Sequence, residues 1–217
     1  MNKENFIIEV EKLGLKVTNE KLEKLEKFYN LLINWNEKIN LTTIVDKEDV
    51  YLKHFYDSIT LCKEINLDRE ISLCDVGSGA GFPGVVLKIF FPKLKITLVD
   101  SLNKRVIYLN EIIKELDLKD IVAVHSRMED FSRLNEEKFD IITARAVSNL
   151  NVLCEISVRA LKINGNLLFM KANCDEEIEN VNRVVDTLGL RLIGINKFLL
   201  QYFRCRRGRF RKSSRHN

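Results

Sequence analysis

The chain has 217 residues, 46% of them hydrophobic and 30% charged, which suits a globular α/β domain with a helical extension and argues against a disordered chain. Eight basic and no acidic residues fall between Lys197 and Asn217, so the first 196 residues carry a net charge of −4 against +4 for the whole chain. The five cysteines contain no Cys-x-x-Cys pair, no apolar run approaches membrane-spanning length, and Met1 to Asn5 is polar, so a disulfide framework, a zinc or other metal site, a membrane span and an export signal are excluded and a cytoplasmic protein is expected.

Leu22, Leu25, Tyr29 and Leu32, joined by Phe28 and Trp35, recur at helical spacing, with Thr18 placed as N-cap and Glu20 in the first turn. A second amphipathic helix follows Asp46, with Leu52, Phe55, Ile59 and Cys62 on its apolar face and Lys53, His54 and Asp57 off it. Together these form a helical cap over residues 1–66. From Ile71 the pattern alternates. Strands are expected at 71–76, 96–100, 121–125, 139–145, 166–171 and 190–198, with helices from about 84 and at 103–116, 150–161 and 176–188. Such alternation implies a mostly parallel sheet covered on both faces, a core spanning residues 67–198. Asn164 and Gly165 read as the turn before the fifth strand, and Gly189 as the end of the last helix.

The chemistry concentrates in residues 75–84, DVGSGAGFPG, directly after the first strand. Without Cβ atoms, Gly77, Gly79, Gly81 and Gly84 let backbone approach a ligand closely. Counted from Gly79 the run is the dinucleotide fingerprint; counted from Gly77 it is the Asp-x-Gly-x-Gly-x-Gly loop of methyltransferases that use S-adenosylmethionine. The second frame is favoured, because it puts Gly77 at the strand end and Asp75 where an acid can help hold a ligand ammonium. Pro83 suits a helix start. Asp100 ends the second strand 21 positions after Gly79, where a carboxylate can accept both ribose hydroxyls. After the third strand, Met128 and Glu129 are placed to meet an adenine, although an ordinary acidic loop with one apolar plug fits the same pattern.

Trp35-Asn36, Asn40-Leu41-Thr42, His54 with Asp57-Ser58, the glycine loop, Asp100-Ser101 with Lys104-Arg105, and Arg145-Ala146 occur in one order over residues 18–198. In these motifs the chain resembles the bacterial small-subunit rRNA guanine-N7 methyltransferases, the glucose-inhibited division protein B family. The resemblance implies a Rossmann-like fold, S-adenosyl-L-methionine as cofactor, and methylation of N7 of one guanine in 16S rRNA, free or in the small ribosomal subunit. By position it implies that Gly77, Phe82, Met128, Glu129 and Arg145 contact the cofactor, and that Lys104, Arg105, Arg145 and Lys171 receive RNA. None of this requires an oligomer.

Guanine N7 carries a lone pair and no proton, so it needs no general base, and no catalytic acid or base is expected. In-line positioning alone can contribute roughly 7 to 11 kcal/mol. With only Pro83 and Pro92 available, there is no Asn-Pro-Pro-Tyr box for an exocyclic amine and no Pro-Cys nucleophile. His54 and Asp57, three apart, read either as a surface pair or as site-lining groups. Lys171 ends the fifth strand as a solvated lysine or a site residue, and Lys104 and Arg105 open a helix, where cations oppose the macrodipole and so point to an anionic partner. Two other readings compete: an NAD-dependent oxidoreductase, from the Gly79 frame, and a non-catalytic cofactor-binding RNA module. Residues 199–217 depart from the family pattern. Arginine outnumbers lysine six to two from Lys197 onward, whereas lysine leads 19 to 8 before it. Either a native basic arm or a shifted reading frame explains the change, and the second would leave the sheet without its last strand and with an open edge.

Overall fold

The structure, a computed structural model, describes residues 1–145, 147–171, 175–197 and 201–208. The cap begins with a helix that periodicity did not single out, α1 (Lys3–Lys12), capped by the Asn2 side chain. Next comes α2 (Asn19–Ile39), where the Thr18 hydroxyl accepts the Lys21 N–H as expected. The helix after Asp46 is four joined pieces: α3 (Lys47–Val50), a π-helical turn (Tyr51–Tyr56), α4 (Asp57–Ile59) and a 3₁₀ turn (Thr60–Lys63).

That π-turn corrects the reading of His54 and Asp57. A 3.6-residue period puts both off the apolar face, but the wider turn rotates the following residues, and both side chains are buried, Asp57 completely. Phe55 and Ile59 are buried too, so this stretch has no polar side at His54 and Asp57.

The core follows as β1 (Ser72–Val76), α5 (Gly84–Phe90), β2 (Lys95–Asp100), α6 (Asn103–Glu115), β3 (Ile121–His125), α7 (Met128–Leu134), β4 (Phe139–Arg145), α8 (Leu150–Val158), β5 (Leu161–Lys171), α9 (Asp175–Thr187), β6 (Leu190–Lys197) and β7 (Gln201–Arg207). One seven-stranded sheet has the order β3-β2-β1-β4-β5-β7-β6. The described pairs from β3 through β5 are parallel, and β7 is antiparallel to both β5 and β6.

Alternation along the strands builds two apolar layers. Leu73, Leu98, Ile141 and Leu168 face the layer shared with the cap, α5 and α6. Their neighbours Cys74, Val99, Ile142 and Leu167 face the layer under α8 and α9. The cap is thus part of the core: Phe28 and Phe55 pack with Phe82 at ring distances of 5.1 and 6.0 Å. Within α5, Lys88 is buried and satisfied, its ammonium donating to the carbonyls of Pro92 and Leu94.

Two further expectations change. The Asn164-Gly165 turn lies inside β5, with Asn164 at φ 66°, where the register against β4 jumps from Phe139↔Leu161 to Ile141↔Asn166. Pairing of Leu161 with Phe139 keeps the chain in the sheet on the near side of that irregularity. The sheet also has the last strand thought missing. β7 lies between β5 and β6 and pairs antiparallel with both, and its Tyr202 and Phe203 are strand-forming types. Residues 209–217 lie outside the described residues.

Strand order reverses between β1 and β4, the place where open α/β sheets leave a crevice at their carboxyl ends. The conserved direction of β1, β2 and β4 brings the glycine loop, Asp100 and Arg145 to that end.

Candidate functional site

A cavity of about 420 Å³ opens at this crevice. Its core wall is the glycine loop with Asp100, and its cap wall is Leu41, Thr42 and His54. A second cavity of about 190 Å³ shares Gly77, Ser101 and Val147 with it and reaches Met128 and Glu129.

The loop is held by its own hydrogen bonds. Gly77 and Ser78 both donate their N–H to the Val99 carbonyl at the end of β2, at 2.8 and 3.2 Å. The Gly79 N–H goes to Asp100 Oδ2 at 2.9 Å, and the Gly81 and Phe82 N–H groups return to Ser78 O. Gly77 takes φ 64°, and a Cβ there would lie 2.7 Å from a Val147 methyl, so a side chain at this position strains the loop and crowds Val147. Gly84 has another cause: its Cβ would lie 2.3 Å from Leu98 and 2.7 Å from Asp75 Oδ2, so its lack of a side chain seats α5 on the sheet.

Asp75 lies beneath this loop, fully buried, and not on the cavity wall where an ammonium could reach it. Its Oδ2 accepts the Gly84 N–H at 2.9 Å, so it ties the start of α5 to β1. Burial pushes its carboxyl up to about 7, against the Gly84 and Ser78 hydrogen bonds that favour the ionised form. Asp100 does line the cavity. Its two oxygens brace Gly79 and Leu102 N–H groups, each at 2.9 Å, and each oxygen keeps a second lone pair for a ligand hydroxyl. The Arg105 guanidinium stands 3.6 Å from Asp100 and also lines the cavity, which offsets the unfavourable placement of a cation at the start of α6. Lys104 is exposed beside it and outside the wall.

On the cap side the Phe82 ring is sandwiched between Phe28 and the His54 imidazole, the latter stacked at 4.4 Å and 21°. His54 and Asp57 meet through Arg145, which comes from the end of β4. Arg145 Nη2 donates to His54 Nδ1 at 3.1 Å and to the Lys53 carbonyl, and Nη1 stands 3.7 Å from Asp57 Oδ2. Burial, with the Arg145 charge second, drives the His54 pKa down to about 3, so the ring is neutral. Burial raises Asp57 to about 6, with Arg145 pulling it back.

Met128 is buried at the start of α7 and Glu129 is exposed, and both line the smaller cavity. Gly77, Gly79, Phe82, Asp100 and Arg145 line the larger one, so the structure brings these seven positions to two joined spaces. Lys171 is not part of either wall: its ammonium donates to Glu177 at 2.5 Å and to the Ser148 carbonyl at 3.0 Å, while Glu177 accepts the Leu150 N–H at 2.7 Å. Sequence reading missed Thr42 as a wall residue. The signal available was Asn36, whose Oδ1 accepts both the Leu41 and Thr42 N–H groups, at 2.7 and 2.8 Å, and folds the 40–42 segment over the helix end. Among the described residues no cluster of three or more His, Cys, Asp and Glu is arranged to hold a metal, and no helix is long and apolar enough to cross a membrane.

Solved structures share this fold. A SAM-dependent methyltransferase from Aquifex aeolicus superposes with a TM-score of 0.58 at 22% identity, covering 74% of this chain and 93% of that one. The M. jannaschii protein TYW2, solved with AdoMet, gives 0.54 at 15% identity over 69% and 74%. Relatives in sequence are nearer. The ribosomal RNA small subunit methyltransferase G of Geobacillus sp. (strain WCH70) is 44% identical over 203 residues, 92% of this chain and 85% of that one. The protein of the same name from Staphylococcus carnosus (strain TM300) is 45% identical over 198 residues, 88% and 82%. With residues 21–202 also matching the family as a whole, the chain belongs to the GidB family, rRNA small subunit methyltransferase G.

Proposed function

We propose that this protein transfers a methyl group from S-adenosylmethionine to N7 of a guanine in small-subunit ribosomal RNA. Family membership supplies the reaction, and the loop geometry favours the cofactor. The observation that carries the choice is the direction of the loop amides. Gly77, Ser78, Gly79, Gly81, Phe82 and Gly84 all spend their N–H groups inside the protein, which leaves them unable to cradle a pyrophosphate. A dinucleotide needs that cradle. A sulfonium nucleoside does not, and the Asp100 carboxylate suits its ribose.

Gly77, Gly79 and Asp100 would hold the nucleoside against the core wall, with Met128 and Glu129 at the adenine and Phe82 and Arg145 flanking the methionine end. When bound, S-adenosylmethionine supplies an electrophilic methyl: the N7 lone pair forms the new N–C bond as the C–S bond breaks and its electron pair stays on sulfur. The protein orients and excludes water, and no side chain need take a proton. Arg145, held by Asp57, His54 and the Lys53 carbonyl, fixes the cap wall to β4. Positive charge builds on the purine, so a cation against the base would oppose the step, and the engaged guanidinium fits a positioning role. Arg127, exposed at the smaller cavity, and the exposed Lys53 and Lys104, next in sequence to the wall residues His54 and Arg105, are the candidates for RNA phosphate. The same reading takes residues 1–66 as cap and, with β7 extending the expected 67–198, residues 67–207 as core of one unit acting in the cytoplasm on 16S rRNA, free or in the small subunit, with no need of a membrane, a metal or a second copy.

Isothermal titration tests the cofactor assignment. S-adenosylhomocysteine should bind with micromolar or better affinity and NAD should not. Gly77→Asp, which puts a side chain against Val147, should weaken the first by at least about 10-fold without loss of the fold. Binding of NAD with no response to S-adenosylhomocysteine would return the Gly79 frame to favour.

A further inference from the structure

Hydrogen-bond polarity is fixed along the cap wall, starting from a group whose protons are not negotiable. A guanidinium has donors only. Arg145 Nη2 lies 3.1 Å from His54 Nδ1, so Nδ1 must present its lone pair. The Lys53 carbonyl, 3.2 Å from Nδ1, is itself served by the same Nη2, and a proton on Nδ1 would face an Arg145 N–H head-on. The ring is neutral, so its one proton sits on Nε2. Nε2–H therefore donates to Thr42 Oγ1 at 3.0 Å. Thr42 Oγ1 also accepts the Ile44 N–H at 3.1 Å. A hydroxyl has two acceptor sites and one donor. Both acceptor sites are filled, and the single O–H has no acceptor among the described residues, on a side chain that lines the larger cavity.

The nucleoside part of the cofactor is assigned to the opposite, core wall, and only its methionine end to Phe82 and Arg145, which leaves Thr42 on the cap wall to the substrate. Beside N7, guanine presents the O6 acceptor, whereas adenine presents the N6 amino donor. We infer that Thr42 reads the target base, its hydroxyl locked as a donor to guanine O6 by the chain Arg145–His54–Thr42. This inference rests on the methyltransferase reading and adds to it the residue that selects guanine over adenine. An adenine would set its amino donor against the Thr42 donor, which a buried polar site rejects strongly.

The test uses the full chain with Thr42→Val, which keeps the shape and loses the hydroxyl, and Thr42→Ser, which restores it. The substrates are small subunits lacking the methyl group, reconstituted with either guanine or 2-aminopurine at the target. The latter keeps N7 and lacks O6. Thr42→Val should lower kcat/KM on guanine by about 10- to 100-fold while the Kd for S-adenosylhomocysteine stays within about two-fold, and Thr42→Ser should recover most of the rate. On 2-aminopurine the wild-type protein should fall to the Thr42→Val level, and the variant should lose nothing further. The inference is overturned if wild type treats the two bases alike, if Thr42→Ser is as slow as Thr42→Val, or if Thr42→Val loses cofactor affinity in step with rate. Failure of wild type to methylate the guanine substrate at all is a separate result, which removes the methyltransferase reading itself.

Discussion

Asp57, His54 and Arg145 form a buried ionisable group behind the cap wall of the site, and their burial gives them a pH signature. His54 has its pKa lowered to about 3 by burial and by the Arg145 charge. The unfolded chain therefore takes up a proton on His54 below about pH 6.5, and the folded chain does not until about pH 3. The stability contributed by keeping this ring neutral is complete above about pH 6.5 and is lost as the pH falls toward 3. Asp57 and Asp75, raised to about 6 and 7, act in the opposite sense, so the informative quantity is a difference between two proteins. His54→Phe keeps a ring against Phe82 and removes the titration. Denaturant unfolding between pH 7.5 and about 5 should show wild type losing stability relative to His54→Phe as the pH falls. Parallel curves would mean that His54 titrates normally in the folded protein. At this scale the sequence was only half informative: the types His54, Asp57 and Arg145 were identified, but their mutual contact joins residues 88 or more positions apart and has no periodic trace.

Among the elements, those that bury one face by regular alternation were readable. Leu73 beside Cys74, and Ile141 beside Ile142, send neighbours to opposite sides of the sheet, and Leu25, Phe28 and Leu32 make the inner stripe of α2. Elements defined by an irregularity were not. The π-turn at Tyr51–Tyr56 changes the period under His54, and α1 is short with only Phe6 and Val10 fully inside. The start of α5 is where regular structure and chemistry meet, because Gly84 lets the helix sit against Leu98 while Asp75 holds its N–H. Gly84→Ala should therefore destabilise the fold by about 1 to 3 kcal/mol, despite the better helix propensity of alanine. An unchanged denaturation midpoint would show that β2 and α5 separate freely, contrary to the close contact between them.

For the molecule as a whole, the site exists because a helical cap and a parallel sheet share one apolar layer and leave a gap over the carboxyl ends of β1 and β4. Alternating strand and helix patterns made the parallel part foreseeable. The position of β7 was not, because an antiparallel strand inserted between two earlier ones depends on which edges are free and not on its own sequence. The negative body charge makes RNA binding depend on local cations, for which Lys53, Lys104 and Arg127 are the proposed candidates. The most direct measurement incubates the protein and S-adenosylmethionine with small subunits that lack the methyl group, then cleaves the RNA chemically at N7-methylguanine and maps the break. One new cleavage, at a single guanine and dependent on the cofactor, is the expected result; labelled RNA without any such cleavage, or no transfer by folded protein that binds S-adenosylhomocysteine, would contradict methylation at guanine N7.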